Sequence, residues 1–255
     1  MSADAVDTWA VVTGGGTGIG RATALLLARR GIGVIVSGRT AATLDATLGA
    51  IVGAGGTGTT VVADVGTAEG VDTIADAVGG CTLVALVHAA GRDIAQAFTE
   101  TTRDDLAEML ATDVYAPFFV TQRLLPRLAD GAGVVFVGSI SARHGRDRHA
   151  GYGAAKAALI GLTANLAVEL GPRVRVNCVS PGATRTAMLR DYVRASTSHL
   201  SDEQKAIVGV QDAARLVLGR VAEPAEVAAT IVHLALDATS ITGVDLPVDV
   251  GYSAS

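Results

Sequence analysis

The sequence predicts an α/β fold: a doubly wound parallel sheet of about seven strands with helices on both faces. Three observations carry this. Short runs rich in Val, Ile and Leu recur along the chain with helical segments between them, and such alternation builds parallel sheets through right-handed crossovers. Apolar residues make up 49% of the chain and aromatic ones only 4%, a balance suited to strands packed closely between helices. The first apolar run leads into a glycine-dense turn and then into strong helix formers. At 255 residues, one domain spanning 1–255 accommodates the whole pattern.

The first strand is Trp9–Val12, and Arg21–Arg30 forms the first helix, ended by Gly31. Between them lies Thr13-Gly14-Gly15-Gly16-Thr17-Gly18-Ile19-Gly20. Strand, glycine turn and helix N-terminus together suit a pyrophosphate, because glycines admit close backbone approach and the helix end offers free N–H groups. The spacing is G-x-x-x-G-x-G, and on its own it also fits a flexible turn.

The second strand, Val34–Val36, ends in Ser37-Gly38-Arg39-Thr40. A dinucleotide fold preferring NAD places an acid here; Arg39 instead suits a 2′-phosphate, so NADP is expected, with NAD as the alternative and a solvated arginine as the simpler reading. The third strand, Thr60–Ala63, is followed by Asp64-Val65. Asp64 either hydrogen-bonds an adenine amino group or caps the next helix. The fourth strand, Leu83–Val87, closes with His88-Ala89-Ala90-Gly91, whose small residues let a cofactor lie against the backbone and whose histidine reads as structural.

Thr102-Arg103-Asp104-Asp105 is a helix start of the capping-box kind, with Asp in place of Glu or Gln. The helical region continues through Arg127, with Tyr115, Phe118, Phe119, Gln122 and Leu125 near one face. The fifth strand, Val134–Val137, runs into Gly138-Ser139-Ile140-Ser141. A polar loop carrying Arg143, His144, Arg146, Arg148 and His149 then leads to Tyr152 and Lys156 at the start of a small-residue helix. That loop either recognises an anionic or strongly polar substrate group or is simply solvated. Tyr152 and Lys156, four residues apart, share a helix face. Val174–Val179 and Val244–Val248 are the remaining strands.

With these segments in order, the chain resembles the short-chain dehydrogenase/reductase family over essentially its whole length. Thr13 to Gly20 is similar to that family's T-G-x-x-x-G-x-G loop, and His88-Ala89-Ala90-Gly91 to its N-N-A-G segment with the first two residues changed. Ser139, Tyr152 and Lys156 fit its Ser, Y-x-x-x-K arrangement. Asn177-Cys178-Val179-Ser180-Pro181-Gly182 with Thr186 fits its N-x-x-x-P-G segment, Glu223-Pro224 its last helix start, and Asp249-Val250-Gly251 its closing D-G-G.

The resemblance implies a single-domain Rossmann-type oxidoreductase that moves a hydride between NADP(H) and a carbonyl or secondary alcohol. Tyr152 is then the general acid/base and Ser139 the contact to the substrate oxygen. Lys156 lowers the tyrosine pKa and holds the nicotinamide ribose. The cofactor set is Thr13, Gly14, Gly16, Thr17, Gly18, Ile19, Gly20, Arg39, Asp64, Val65, Ala89, Ala90, Gly91, Tyr152, Lys156, Pro181, Gly182, Thr184 and Thr186. Asp113 joins the catalytic set at a position where the family usually carries an asparagine that supports a water beside the lysine. As an aspartate it is only an acceptor and adds negative charge. The resemblance also implies a homo-oligomer, commonly a tetramer, formed through the helices about Asp113–Arg127 and Tyr152–Leu170 and the last strand. The segment from Ala183 to Leu218, with Met188, Leu189, Tyr192, Val193, His199 and Leu200, is the expected substrate lid. A catalytically idle nucleotide sensor or scaffold of the same fold is the alternative function. A non-redox lyase relative is disfavoured, because Gly14, Gly18, Gly20 and Lys156 are all present.

Composition narrows the partners. A net charge of −5 with no basic stripe disfavours nucleic acid. The only two cysteines, Cys81 and Cys178, stand in apolar strand-like runs and read as buried thiols in a reducing compartment. No metal-ligand cluster is apparent. The opening residues lack a leader pattern and no apolar run is expected to span a bilayer, so a cytoplasmic protein without membrane contact is expected.

Overall fold

In the computed structural model, which describes residues 8–197, 201 and 214–254, the central strands carry side chains that alternate between two apolar layers. Ala10 and Val12 face one layer and Val11 the other; Val34 and Val36 oppose Ile35; Val135 and Val137 oppose Val134 and Phe136. Period-two alternation with both faces apolar is what a parallel sheet buried on both sides requires.

The chain runs through β1 (Trp9–Thr13), α1 (Gly18–Arg29), β2 (Gly33–Gly38), α2 (Ala41–Gly53), β3 (Gly58–Val62), α3 (Ala68–Val78) and β4 (Leu83–His88). It continues with α4 (Arg103–Leu110), a π-helical turn (Ala111–Tyr115), α5 (Ala116–Leu124), β5 (Leu128–Val137) and α6 (Ala150–Leu170). Then come β6 (Val174–Pro181), α7 (Ala187–Thr197), α8 (Pro224–Val232) and β7 (Asp245–Val248). The seven strands form one sheet in the order β3-β2-β1-β4-β5-β6-β7, and every pairing is parallel. Helices α1, α2 and α8 pack on one face through Leu27, Leu44 and Ile231; α3, α5 and α6 cover the other through Ile74, Val120 and Leu159. The doubly wound α/β reading therefore holds, and the strand order reverses between β1 and β4. In open α/β sheets, ligands bind beyond the carboxyl ends of the strands at such a reversal.

Local sequence explains the ends of the elements. Gly31 takes φ +78 after α1, where a side chain would be strained. Thr102 and Asp105 form a reciprocal capping box despite the shorter acid, and Glu223 with Glu226 forms another ahead of α8. β5 begins six residues earlier than the Val134 start read from the sequence, because Asp130 and Gly131 obscure the apolar run.

Two expectations need correction. Cys81 is not in a strand but in the turn between α3 and β4, where it is half-buried; only Cys178, in β6, is fully buried. And α6, at 21 residues, is long and apolar enough by length and composition to cross a membrane. Its polar residues are few and widely spaced, which hides its length from a search for uninterrupted apolar runs. It lies against the sheet, burying Tyr152, Lys156, Leu159 and Thr163.

Candidate active site

The carboxyl ends of β1, β4, β5 and β6 open into one cleft of about 370 Å³. At its floor, Gly14 stands at φ +68 and so close to the turn after β4 that a Cβ would meet the Ala90 nitrogen at 2.5 Å. A Cβ on Gly20 would collide with the Gly14 carbonyl. These glycines let the two turns touch, so the adjoining surface is backbone. Thr17, the residue capping α1, makes no side-chain cap bond, and the first turn of α1 carries no acid. An anion placed there meets neither a competing acceptor nor a repelling carboxylate.

Gly14, Gly16, Thr17, Gly18, Ile19 and Gly20 line this end of the cleft; Arg39, Asp64, Val65, Ala89, Ala90 and Gly91 continue it. Pro181, Gly182, Thr184 and Thr186 line the side formed after β6, and Ser139, Tyr152 and Lys156 stand at the far end. Arg39 is exposed and has no partner among the described residues. The cap of α3 is Thr67, not Asp64, whose Oδ1 accepts from the Gly66 N–H at 2.9 Å.

Two members of the expected set lie behind the cleft rather than in it. Thr13 is buried and its hydroxyl accepts from Ala90 N–H at 3.4 Å, fixing the turn instead of facing a ligand. Asp113 is fully buried on the π-helical turn, where its Oδ1 lies 2.8 Å from Lys156 Nζ and its Oδ2 accepts from Arg92 N–H at 3.1 Å. The lysine contact expected to run through a water is thus a direct ion pair.

Lys156 Nζ also donates to the Val137 carbonyl at 3.0 Å and sits 5.7 Å from the centre of the Tyr152 ring. Burial alone would lower the lysine pKa, but Asp113 and Tyr152 outweigh it and raise it above the ordinary value, so the ammonium persists. Burial raises the Tyr152 phenol; Lys156 and a hydrogen bond with Ser139 pull it down, while Asp113 and Asp93 push it up. The net shift is upward, contrary to the expectation that Lys156 prevails. Ser139 Oγ accepts from the Ser141 N–H at 3.1 Å, which orients the hydroxyl. His88 is structural, as read: its Nε2 lies 2.9 Å from Thr121 Oγ1, its ring stacks on Phe136, and burial lowers its pKa to about 3.

Of the polar loop after β5, Arg146 and His149 line the cleft. Arg143 instead pairs with Asp245, Arg148 with Glu100, and His144 with Ser253. From the expected lid, Met188, Leu189 and Tyr192 line the cleft, whereas His199 and Leu200 lie outside the described residues. Sequence reading missed Thr40, Thr43, Asp93 and Thr112, all cleft-lining. Thr40 adjoins Arg39 and was within reach of the same argument; Asp93 carries no spacing signal. No group of potential metal ligands occurs among the described residues.

Residues 14–253 match a family model described as enoyl-(acyl carrier protein) reductase. The chain belongs to the short-chain dehydrogenase/reductase family. This family placement agrees with the L-xylulose reductase of Bos taurus, 34% identical over 252 residues that cover 96% of each protein. A short-chain dehydrogenase/reductase mutant from Serratia marcescens superposes with a TM-score of 0.86 at 32% identity, covering 96% of this chain and 98% of that one. A putative NAD(P)-dependent gluconate 5-dehydrogenase from Beutenbergia cavernae, solved with bound NADP, has a TM-score of 0.85 at 32% identity, covering 99% and 98%. Short-chain dehydrogenase/reductases are oxidoreductases acting on small molecules, and the cleft here lies at the carboxyl ends of the strands, where the strand order reverses.

Proposed function

We propose that this protein is an NADP(H)-dependent oxidoreductase of carbonyls and secondary alcohols, with Tyr152 as its general acid/base. The observation that carries the proposal is the convergence of Ser139, Tyr152 and a charged Lys156 at one end of a cleft whose other end is the glycine turn. The residues fit the cofactor: the start of α1, with no side-chain cap and no acid in its first turn, suits its pyrophosphate, and Arg39, which has no partner among the described residues, suits a 2′-phosphate beside Thr40. The NADP bound in the Beutenbergia cavernae structure supports the same choice.

When bound, the nicotinamide supplies or accepts the hydride. Everything else falls to the chain. Ser139, its hydroxyl already oriented by Ser141, donates to the substrate oxygen as charge develops there. Tyr152 delivers the proton to that oxygen during reduction and takes it back during oxidation. Its raised pKa keeps the phenol protonated as the donor that reduction needs. Lys156 limits that rise and offers its ammonium to ribose hydroxyls. Asp113 acts through Lys156 and is a positioning residue. The segment 183–218 is proposed as the substrate lid, with α7 carrying Tyr192 to the cleft.

The test is Tyr152→Phe with NADPH and a broad carbonyl panel. Turnover is expected to fall by about 10²- to 10⁴-fold, the contribution of a positioned proton donor, with NADPH affinity nearly unchanged. Retention of more than about a tenth of wild-type activity overturns the role. Binding of NADPH with no turnover of any carbonyl or alcohol would favour the idle sensor.

A homo-oligomer is proposed as well. Phe118, Phe119 and Val168 are exposed on α5 and α6, the helices the family resemblance assigns to subunit contacts. Light scattering on wild type and Phe119→Glu should show a tetramer converted to smaller species; a monomeric wild type rejects the assembly.

A further inference from the structure

A charged contact outside the cleft holds the turn that presents Ser139. Arg143 does not line the cleft, although Ser139, Ser141 and Arg146 on either side of it do. Its guanidinium reaches back to the start of β7, where one Nη2 lies 3.0 Å from Asp245 Oδ2. The Arg143 side chain is 57% exposed and that of Asp245 only 3%, so a surface arginine neutralises a carboxylate inside the protein. The other oxygen, Asp245 Oδ1, accepts from the Ser180 hydroxyl at 2.6 Å. These groups lie behind the serine. A Cβ on Gly138 would meet the Cys178 sulfur at 2.7 Å and the Ser180 hydroxyl at 2.8 Å, and Asp245 is the register partner of Cys178 on β7. Burial and the neighbouring Asp245 push the Cys178 thiol up to about 12, so it stays neutral and Asp245 is the charge that Arg143 answers.

A single 3₁₀ turn, Ile140–Ala142, connects Arg143 to Ser139. Ser139 caps the turn: its Oγ accepts from the Ser141 N–H, and its carbonyl accepts from the Ala142 N–H at 3.0 Å. Arg143 ends the turn, donating its N–H to the Ile140 carbonyl at 3.0 Å. So short a turn has too few bonds to hold its own orientation and takes it from its anchors. On one side Gly138 N–H donates to the Val179 carbonyl at 2.8 Å; on the other stands the pair of Arg143 with Asp245. His144 adds a 3.1 Å contact to Ser253 and edge-on packing against Tyr252. At a buried place on β7 an apolar side chain would cost less than a carboxylate that must be paired. Asp245 provides instead a directed, charged contact to the serine's loop.

We infer that Asp245 is a positioning residue for the reaction: its ion pair with Arg143 fixes the turn capped by Ser139, so that the serine hydroxyl meets the substrate oxygen as charge develops there. The inference rests on the carbonyl-reductase reading and adds to it a residue on the last strand. Neither Asp245 nor Arg143 touches the substrate; both act through Ser139. An interaction that matters as charge develops acts on kcat more than on ground-state binding. Cofactor binding stays apart, because the glycine turn and Arg39 belong to other elements of the cleft.

The experiment is a double-mutant cycle in the full chain with NADPH and whichever of 2,3-butanedione, acetophenone and cyclohexanone wild type reduces fastest. Arg143→Met, at an exposed position, should lower kcat by about tenfold, less than the roughly 10²-fold expected when Ser139→Ala removes the donor itself. Substrate KM and NADPH affinity, the latter read by fluorescence, should stay within about twofold of wild type. Asp245→Asn should repeat the kcat defect, and Arg143→Lys, which keeps the charge, should recover part of it. Placed on Ser139→Ala, Arg143→Met should cost less than about twofold, since residues acting through one group are not additive. An unchanged kcat in Arg143→Met overturns the inference. So does an undiminished further loss on the Ser139→Ala background, which would leave the pair a fold-stabilising contact only. Both results leave the oxidoreductase reading standing, and the Arg143→Met cycle decides even where Asp245→Asn fails to fold. NADPH binding by wild type without turnover of any of the three carbonyls counts against that reading and overturns this inference with it.

Discussion

Lys156 Nζ stands 2.8 Å from Asp113 Oδ1, and both side chains are sealed from solvent, one on α6 and the other on the π-helical turn before α5. The same carboxylate accepts from Arg92 N–H, so one residue ties together the helix that carries Tyr152 and the turn that follows β4. A water beside the lysine would leave the ammonium's charge free to act on Tyr152. A direct carboxylate cancels much of it.

Breaking this pair from one side should cost more than removing it altogether. Asp113→Ala strands a buried ammonium and is expected to lower unfolding stability by about 3–5 kcal/mol. Adding Lys156→Met to Asp113→Ala removes the stranded charge and should recover part of that loss. Urea unfolding of the two single variants and the double variant measures the coupling. Additive losses would mean that the ion pair is not what the contact contributes.

The pair should also set the pH dependence of the chemistry. Asp113 disfavours the Tyr152 phenolate and contributes to its raised pKa. Alcohol oxidation, which needs the deprotonated tyrosine, should therefore show a lower apparent pKa in Asp113→Asn than in wild type. Carbonyl reduction should lose activity at lower pH in that variant, because the proton donor is spent sooner. Paired pH–rate profiles on one reversible substrate pair decide the matter. Superimposable profiles remove Asp113 from proton control; an upward shift means that Lys156 loses its proton once the carboxylate charge is gone.

The sheet was legible because its strands announce themselves twice, by apolar runs and by the glycine or small residues at their ends. The site was legible where chemistry follows backbone, as at Gly14 to Gly20 and the Tyr152–Lys156 spacing. It was not legible where a side chain turns away from its neighbours in sequence. Thr13 belongs to the glycine motif, yet its hydroxyl points back to Ala90. Asp93 sits in a stretch with no periodicity, and only the fold brings it to His149, 56 residues away. The direction of the Tyr152 shift was equally hidden, since it depends on how fully the phenol is buried and on two aspartates from other elements.

Cofactor choice should rest on Arg39. It is exposed at the end of β2, lines the cleft and has no partner among the described residues, so its guanidinium is available to a 2′-phosphate. A charge-assisted contact of this kind is worth about 1.5–3 kcal/mol. Wild type is expected to favour NADPH over NADH by about ten- to a hundredfold in kcat/KM, and Arg39→Ala to lose most of that margin without a comparable loss with NADH. Steady-state kinetics with both cofactors tests it. Equal efficiency in the wild type removes Arg39 from the recognition of NADP.

His88 should make the fold sensitive to acid. Its ring is buried at the end of β4, paired with Thr121 and stacked on Phe136, and burial brings its pKa from 6.5 to about 3. The folded chain keeps the imidazole neutral, while the unfolded chain protonates it below about pH 6.5. Between those two values the unfolded state holds the extra proton, so stability falls as pH drops. His88 stabilises the fold fully above its unfolded pKa and progressively less toward pH 3. From pH 7 to pH 4.5 this residue alone should remove about 2–3 kcal/mol, at 1.36 kcal/mol per unit. His88→Gln keeps a polar group for Thr121 but cannot titrate. It should be less stable than wild type at pH 7, because it loses the stacking on Phe136, yet lose less on acidification. Urea unfolding of both proteins at the two pH values gives the comparison. An equal loss in both would assign the acid sensitivity to other groups and leave His88 a packing residue only.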